Sequence, residues 1–394
     1  MRTWIRAGTL ITPDHTAADQ VIVIADGRIA AVEPRSQLTA SPEDTHLIAA
    51  DGLYVMPGLI DIHVHGGAGS DTMDATPEAL AAMSRFFLQH GVTAYLATTG
   101  TQTTDRITKA IENVANTRSE RHGAKPLGVY LEGPYLSYPY RGAHKPEWLR
   151  NPDPEEYAEW LQSGMLRIVA VAPELPGALE LIQECQRRGI RTSAAHPDAS
   201  PQQIQAAADA GLTVSTHTFN GMAGLHHRDL GTVGALLADD RIYCEIIADG
   251  IHVHPSVLAM VLKIKGPQRT LLITDAIRAA GLADGQYELV GQMVTVTDGV
   301  ARTPAGGLAG STLTLDQAVK NIRAFAGIPL NQAVQMATKT PAAALGLSGV
   351  KGEIRPGADA DLLITDADLN IKAVLIGGKI AYQTSDFQEN TGRT

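Results

Sequence analysis

"PGLIDIHVHGG", residues 57–67, sets an apolar run directly in front of two histidines and two glycines. Side chains alternate along a β-strand, so residues two apart point the same way. If Leu59, Ile60 and Ile62 belong to a strand, His63 and His65 share one of its faces. Two adjacent imidazoles suit a divalent metal. They suit an apolar core poorly, because each ring carries nitrogens that need polar partners. One satisfied structural histidine beside an exposed one is the competing reading, and the pair alone does not choose between them.

Outward from this stretch the chain alternates short apolar runs with Ala-rich helical segments. Eight strand candidates follow one another: "YVMPGLIDIHVH", "VTAYLATT", "LGVYLEG", "RIVAVAPE", "IRTSAAH", "LTVSTHT", "IYCEIIADG" and "TLLITDA". Between them, "TPEALAAMSRFFLQHG" offers Thr76 as N-cap, Pro77 at the next position and Gly91 as a stop. Ser200, Pro201 and Gly211 repeat that punctuation. Eight βα units predict a (β/α)8 barrel of the TIM type over residues 55–344. "ELVGQMVTVTDGVARTPAGG", after the eighth strand, reads as an inserted β-hairpin with an Asp-Gly turn. The two chain ends have another rhythm. "QVIVIADGRIAAVEP" is two β-rich runs joined at Asp26-Gly27, and the last fifty residues are similar short runs. Residues 1–54 and 345–394 are therefore expected to build one small β-sandwich domain around the barrel's insertion point.

The chain has 394 residues, 44% of them hydrophobic, which sustains a large core. A net charge of −10 argues against nucleic acid and anionic membrane surfaces as partners. It leaves room for a small anionic substrate met by a local cluster of donors. Cys185 and Cys244 are far apart and read as two buried thiols, which together with a start lacking a signal-peptide profile points to the cytoplasm.

The unusual polar residues fall at strand ends. His63 and His65 end the first strand, Glu132 the third, His196 the fifth, His217 the sixth and Asp275 the eighth; His252 follows the seventh. In a barrel all those ends meet at one mouth, where active sites lie. Imidazoles and a carboxylate gathered there are the ligand types of a zinc, iron or manganese site. Each residue alone has a bland alternative: a strand-end hydrogen bond for His217, a helix cap for Glu132. Their joint placement favours the metal. Asp275 stands apart as a carboxylate able to take a proton from metal-activated water and return it to a leaving group. His144, in the loop after Glu132, is a candidate donor to a substrate carbonyl, with an exposed loop histidine as its competing reading. His46, His90 and His122 lack such placement and read as surface or loop residues.

"LEGPYLS", "RGAHKP", "STHTFNGM", "HHRDLGTVGA", "IADGIHVHP", "LLITDAIRAAGL" and "GGLAGSTLTLDQAV" join the opening stretch in an order and spacing that span nearly the whole chain. By these motifs the sequence resembles the N-acetylglucosamine-6-phosphate deacetylase family of the amidohydrolase superfamily. The resemblance implies hydrolysis of the acetamide of a phosphorylated amino sugar. It implies Glu132, His196 and His217 as metal ligands, with His63 and His65 matching a His-x-His that only some members keep. One or two divalent ions per subunit follow, zinc first, iron or manganese as alternatives. It further implies Asp275 as the acid/base, His144 on the substrate carbonyl or sugar, and Asn220, Gly221, Arg228 and His252 as sugar-phosphate contacts. Ala143 joins the substrate contacts, and Leu308 and Ala309 lie near the acetyl group. In the family the arginine reaches a neighbouring subunit's site, which implies a homodimer. Two positions depart from the family: Ala195 stands where glycine precedes the histidine, and Gly221 where alanine is usual. Gly221 is expected to be a minor change. The nearest alternatives are the galacto-configured substrate and a non-catalytic scaffold. Dihydroorotases and dipeptidases centre on a carboxylated lysine, and "VAVAPE" has none.

Overall fold

The computed structural model describes residues 2–37, 45–117 and 123–387. Eight parallel strands lie side by side in chain order: Leu59–Val64, Val92–Thr99, Lys125–Leu131, Leu166–Val171, Arg191–Ala194, Val214–Ser215, Tyr243–Ile247 and Thr270–Ile273. Their runs are apolar because the strands are covered on both faces. The ring closes at its carboxyl end. The Asp275 N–H donates to the His63 carbonyl at 2.9 Å, and the His65 N–H to the Ala276 carbonyl at 2.9 Å. Closure of the barrel and juxtaposition of His63, His65 and Asp275 are thus one event.

Helices pack outside the strands as the punctuation predicted. In the helix Pro77–Gln89, the Thr76 hydroxyl accepts the Ala79 N–H, and in Pro201–Ala210 Ser200 and Gln203 form a reciprocal capping box. Cys185 and Cys244 are both buried free thiols. No described helix is long and apolar enough to cross a membrane.

Both chain ends build a second, seven-stranded sheet. Arg2–Ile11, Thr16–Ala25, Arg28–Pro34 and Thr45–Pro57 pair with Leu362–Thr365, Ile371–Ile376 and Lys379–Gln383. Asp26 and Gly27 take φ of 51° and 77°, the two positive values a tight hairpin turn needs. The sheet curls over its own core of Ile5, Ile22, Ile48, Leu362 and Leu375. Its free edge is met by the segment near residue 360, where Ala358 accepts the Ile29 N–H at 2.9 Å.

Two elements differ from expectation. "YVMPGLIDIHVH" is not one barrel strand: Thr45–Pro57 belongs to the terminal sheet and Leu59–Val64 to the barrel. Gly58 is the joint, and a Cβ there would lie 2.3 Å from the Thr93 side chain, so only glycine lets the chain pass. The insertion is a three-stranded meander, Gly285–Leu289, Gln292–Thr297 and Val300–Arg302, with its extra turn at Val290-Gly291. It packs Leu289, Val290, Val294 and Val296 against Ile277 and Ala309 beside the barrel mouth.

Candidate active site

Glu132 is the hub. It follows the third strand directly and is 2% exposed, in a position where a carboxylate is costly without partners. Its Oε1 lies 3.1 Å from His217 Nε2 and 3.6 Å from the Nε2 atoms of both His196 and His63. Its Oε2 lies 3.0 Å from His65 Nε2 and 3.9 Å from His144 Nε2. Five rings from four segments therefore converge on one carboxylate, His63 and His65 sharing one strand end. Asp275 closes the other side, its Oδ1 3.3 Å from His65 Nε2 and 3.6 Å from His63 Nε2.

The backbone at these positions is unusual. His196, His217 and Asp275 take φ of 48°, 27° and 50°, the left-handed region that non-glycine residues avoid. Such strain persists only where the surroundings enforce it, and it gathers at functional sites. Here each residue turns sharply just after its strand, which aims its side chain inward.

The charge pattern follows from burial working against pairing. Burial alone would raise the Glu132 carboxyl, but His63 and the hydrogen-bonding His196 and His217 outweigh it and hold it well below the usual carboxylate range. Asp275 is likewise lowered, burial being overcome by His65 and His63. Burial would lower His65, yet Asp275 and Glu132 push it up to about 10. His144 goes the other way. Burial, only partly offset by Glu132, takes it down to about 3, so the ring is neutral at physiological pH. The cluster thus attracts positive charge onto its rings while leaving one neutral imidazole at its edge.

The donor set fits a divalent ion. His196 Nδ1 lies 2.7 Å from the Tyr140 carbonyl, which can only accept, so that nitrogen carries the proton. In the singly protonated ring the buried Nε2 then aims a lone pair at Glu132, and it has no hydrogen-bond partner. His63 repeats the pattern, with Nδ1 2.9 Å from Glu245 and a buried Nε2 without a hydrogen-bond partner. A lone pair facing a carboxylate repels it unless a proton or a metal ion lies between them, and one divalent ion can supply that charge to several rings at once. Two triads bring their donor atoms within 4.8 Å of one another, His63–His65–Asp275 and Glu132–His144–His196. The second contains His144, expected on the substrate. His217 approaches Glu132 more closely than His144 does, which favours His217 as the ligand.

Beside the cluster opens a cavity of about 320 Å³. Its wall carries His65, Glu132, Ala143, His144, His196, His217, Asn220, Gly221, His252, Asp275, Leu308 and Ala309. His63 lies deeper, at 0% exposure. His144 is 6% exposed, with its ring edge-on to His196 at 4.8 Å, so its reading as an exposed loop histidine does not hold. The His252 ring is held by Asp249 at 2.6 Å. Asn220 folds back on its own turn, its N–H donating to the His217 carbonyl at 2.9 Å. Leu308 and Ala309 are brought in by a loop stitched to the eighth strand, where the Ser311 N–H donates to the Asp275 carbonyl at 2.8 Å. Arg228 is exposed, its Nη1 2.6 Å from His227 Nε2, and it is not on this wall. Gly221 is not a neutral departure from the family. At φ 62° its absent Cβ would lie 2.5 Å from His196 Nδ1, so glycine makes room for that ring.

Several wall and support residues escaped the sequence reading. Leu289 and Val290 reach the cavity from the meander, and Gly142, Gly307 and Gly310 complete it. Asp61 is buried, pushed up by burial to about 7 although Thr274 donates to it at 2.6 Å. Glu245 is wholly buried behind His63. A lone acidic residue inside an apolar run was the available signal in both cases. Of the histidines set aside, His90 pairs with Asp316 at 3.2 Å, His46 lies in a strand of the terminal sheet, and His122 is outside the described residues.

A parallel barrel with carboxylate and imidazole donors at its carboxyl mouth defines a metallohydrolase-like scaffold. The Amidohydrolase family model matches residues 54–381, and the chain belongs to that family. It is 44% identical over 340 residues, covering 85% of each chain, to N-acetylglucosamine-6-phosphate deacetylase of Vibrio furnissii. It is 41% identical to N-acetylgalactosamine-6-phosphate deacetylase of Escherichia coli O157:H7, over 96% of this chain and 98% of that one. Among solved structures, a mutant N-acetyl-D-glucosamine-6-phosphate deacetylase from Mycobacterium smegmatis, in complex with N-acetyl-D-glucosamine-6-phosphate, superposes with a TM-score of 0.88. It is 34% identical, over 96% of this chain and 99% of that one.

Proposed function

We propose that the protein is a metal-dependent deacetylase that hydrolyses the acetamide of N-acetyl-D-glucosamine 6-phosphate to D-glucosamine 6-phosphate and acetate. One observation carries this reading: a single buried carboxylate, Glu132, faces five histidine rings within 3.9 Å, with Asp275 opposite, beside a sugar-sized cavity. The named relatives supply the substrate.

Glu132, His196 and His217 would hold one divalent ion, and His63 and His65 a second, with Glu132 shared between them. Zinc is the first candidate, since imidazole and carboxylate suit it, with iron and manganese as alternatives. A divalent ion there makes water acidic enough to supply hydroxide near neutral pH. Asp275 takes the proton of the attacking water and delivers it to the departing amine, without which the tetrahedral adduct would collapse backwards. His144, as a neutral ring, donates a hydrogen bond to the acetyl carbonyl oxygen and stabilises the charge growing there. Leu308 and Ala309 give the acetyl methyl an apolar seat. Asn220, Gly221 and His252 receive the sugar phosphate, and Ala143 packs against the sugar. Arg228, turned outward, completes the phosphate site of a partner subunit in a homodimer. Two buried free thiols suit a reducing, cytoplasmic setting.

The galacto-configured substrate is the second reading, favoured by the Escherichia coli relative named for it. Acetate release from a panel of phosphorylated amino sugars, run with elemental analysis, decides both points. Fastest release from the gluco substrate with at least one equivalent of metal supports the proposal. Release without metal, or no release, sinks it.

A further inference from the structure

Glu245 lies in the middle of the seventh barrel strand, at 0% exposure, between Cys244 and Ile246. A buried carboxylate is expensive unless paired, and nothing in the packing of an apolar strand calls for one. Both of its side-chain hydrogen bonds go to the candidate metal cluster. Its Oε2 lies 2.9 Å from His63 Nδ1 and also accepts the His217 backbone N–H at 3.1 Å. Its Oε1 is buried with no hydrogen-bond partner, so the cluster contacts are what hold the group in place.

We propose that Glu245 is a positioning residue that fixes the tautomer and orientation of His63, keeping the proton on Nδ1 so that Nε2 presents its lone pair to the metal site. This rests on the metal reading above. The ring plane is already set from one side by Tyr130, whose ring centroid lies 4.6 Å away. That ring contact, tilted by 44°, cannot choose which nitrogen carries the proton; a carboxylate facing Nδ1 can. With that partner the ring donates from Nδ1, and its Nε2 is aimed between Glu132 and Asp275, 3.6 Å from each. An anionic acceptor also makes the imidazole a stronger ligand. By the same oxygen Glu245 braces the strained turn at His217, so one side chain serves ligands from two strands.

The test is a double-mutant cycle read as metal affinity. Metal-stripped wild type, Glu245→Gln, His63→Ala and the double variant are titrated with Zn²⁺ against a chromophoric chelator. Glutamine keeps the volume, and its one carbonyl oxygen can still accept the His217 N–H and the His63 Nδ1–H, so what the change removes is the negative charge behind His63. In the wild-type background Glu245→Gln should weaken at least one zinc equivalent about tenfold, the size expected for loss of such a partner. In the His63→Ala background the same change should alter zinc affinity less than twofold. Wild-type-like affinity in Glu245→Gln, or an equal loss with and without His63, overturns the proposal. If wild type itself takes up no ion, the metal reading fails first and carries this inference with it.

Discussion

At the scale of the residue, Asp275 is where geometry and chemistry are most tightly joined. Its backbone closes the barrel, its φ of 50° turns the side chain inward, and His65 holds its carboxyl ionised at 3.3 Å. Asp275→Asn keeps that shape and removes the proton acceptor. With metal bound, kcat should fall by about 10²–10⁴, the usual worth of general acid/base catalysis, while KM changes little. A variant that keeps near wild-type kcat would show that the proton goes elsewhere. His63 and His65 were legible because strand alternation is a local rule. The need for a partner at Glu245 or Asp61 was also written in their apolar surroundings. Which partner was not: Glu245 meets a ring 182 positions away, and no local period reaches that far. The left-handed turns at His196 and His217 were equally hidden, because histidine takes a positive φ more often than most residues but still in a small minority of cases.

At the scale of the element, the loop from Gly133 to Arg150 decides what His144 can do. It is anchored by Arg150, whose guanidinium forks onto Glu156 at 2.6–3.0 Å and donates to the carbonyls of Gln102 and Trp148. Tyr135 adds its hydroxyl to Glu156 at 2.8 Å. This ring of contacts joins three segments, which is why sequence alone left His144 open to an exposed reading. Glu156→Gln should cost about 1–3 kcal/mol of stability by leaving Arg150 under-compensated. It should lower kcat/KM without changing metal content, because the loop that presents His144 loosens. The pH dependence has a definite sign. Burial raises the Glu156 carboxyl, but Arg150, Thr104 and Tyr135 outweigh it and the folded value is depressed. Its stabilisation is therefore full above the ordinary glutamate value of about 4.3 and is lost as pH falls through the depressed one. The wild type's Tm advantage over Glu156→Gln should be constant near neutrality and shrink in acid. An advantage that grows in acid would contradict the assignment.

At the scale of the whole molecule, the alternating rhythm of runs and caps was enough to read the barrel, because each βα unit obeys local rules and the ring follows from their number. The association of whole chains has no such local signature. Metal is expected to stabilise the entire barrel, since its proposed ligands come from the ends of the first, third, fifth and sixth strands. Chelation should lower Tm, with about 2.7 kcal/mol lost for an ion present at 100 times its Kd. An unchanged Tm after complete metal removal would separate the cluster from the fold. Arg228 provides the remaining test. It sits in an exposed loop beyond the His217 turn, its guanidinium against the neighbouring His227 ring, and it is absent from its own chain's cavity wall. In the proposed dimer a guanidinium there would serve a phosphate across the interface, where its planar fork grips two oxygens in a way an ammonium cannot copy. Charge-assisted hydrogen bonds contribute roughly 1.5–3 kcal/mol each. Arg228→Lys should therefore lower kcat/KM for the 6-phosphate ten- to hundredfold, chiefly through KM, by those same charge-assisted bonds. Activity on unphosphorylated N-acetylglucosamine should barely change. An equal loss on both substrates would assign Arg228 to the fold. A monomer that keeps full activity on dilution would remove the shared site, whatever the arginine does.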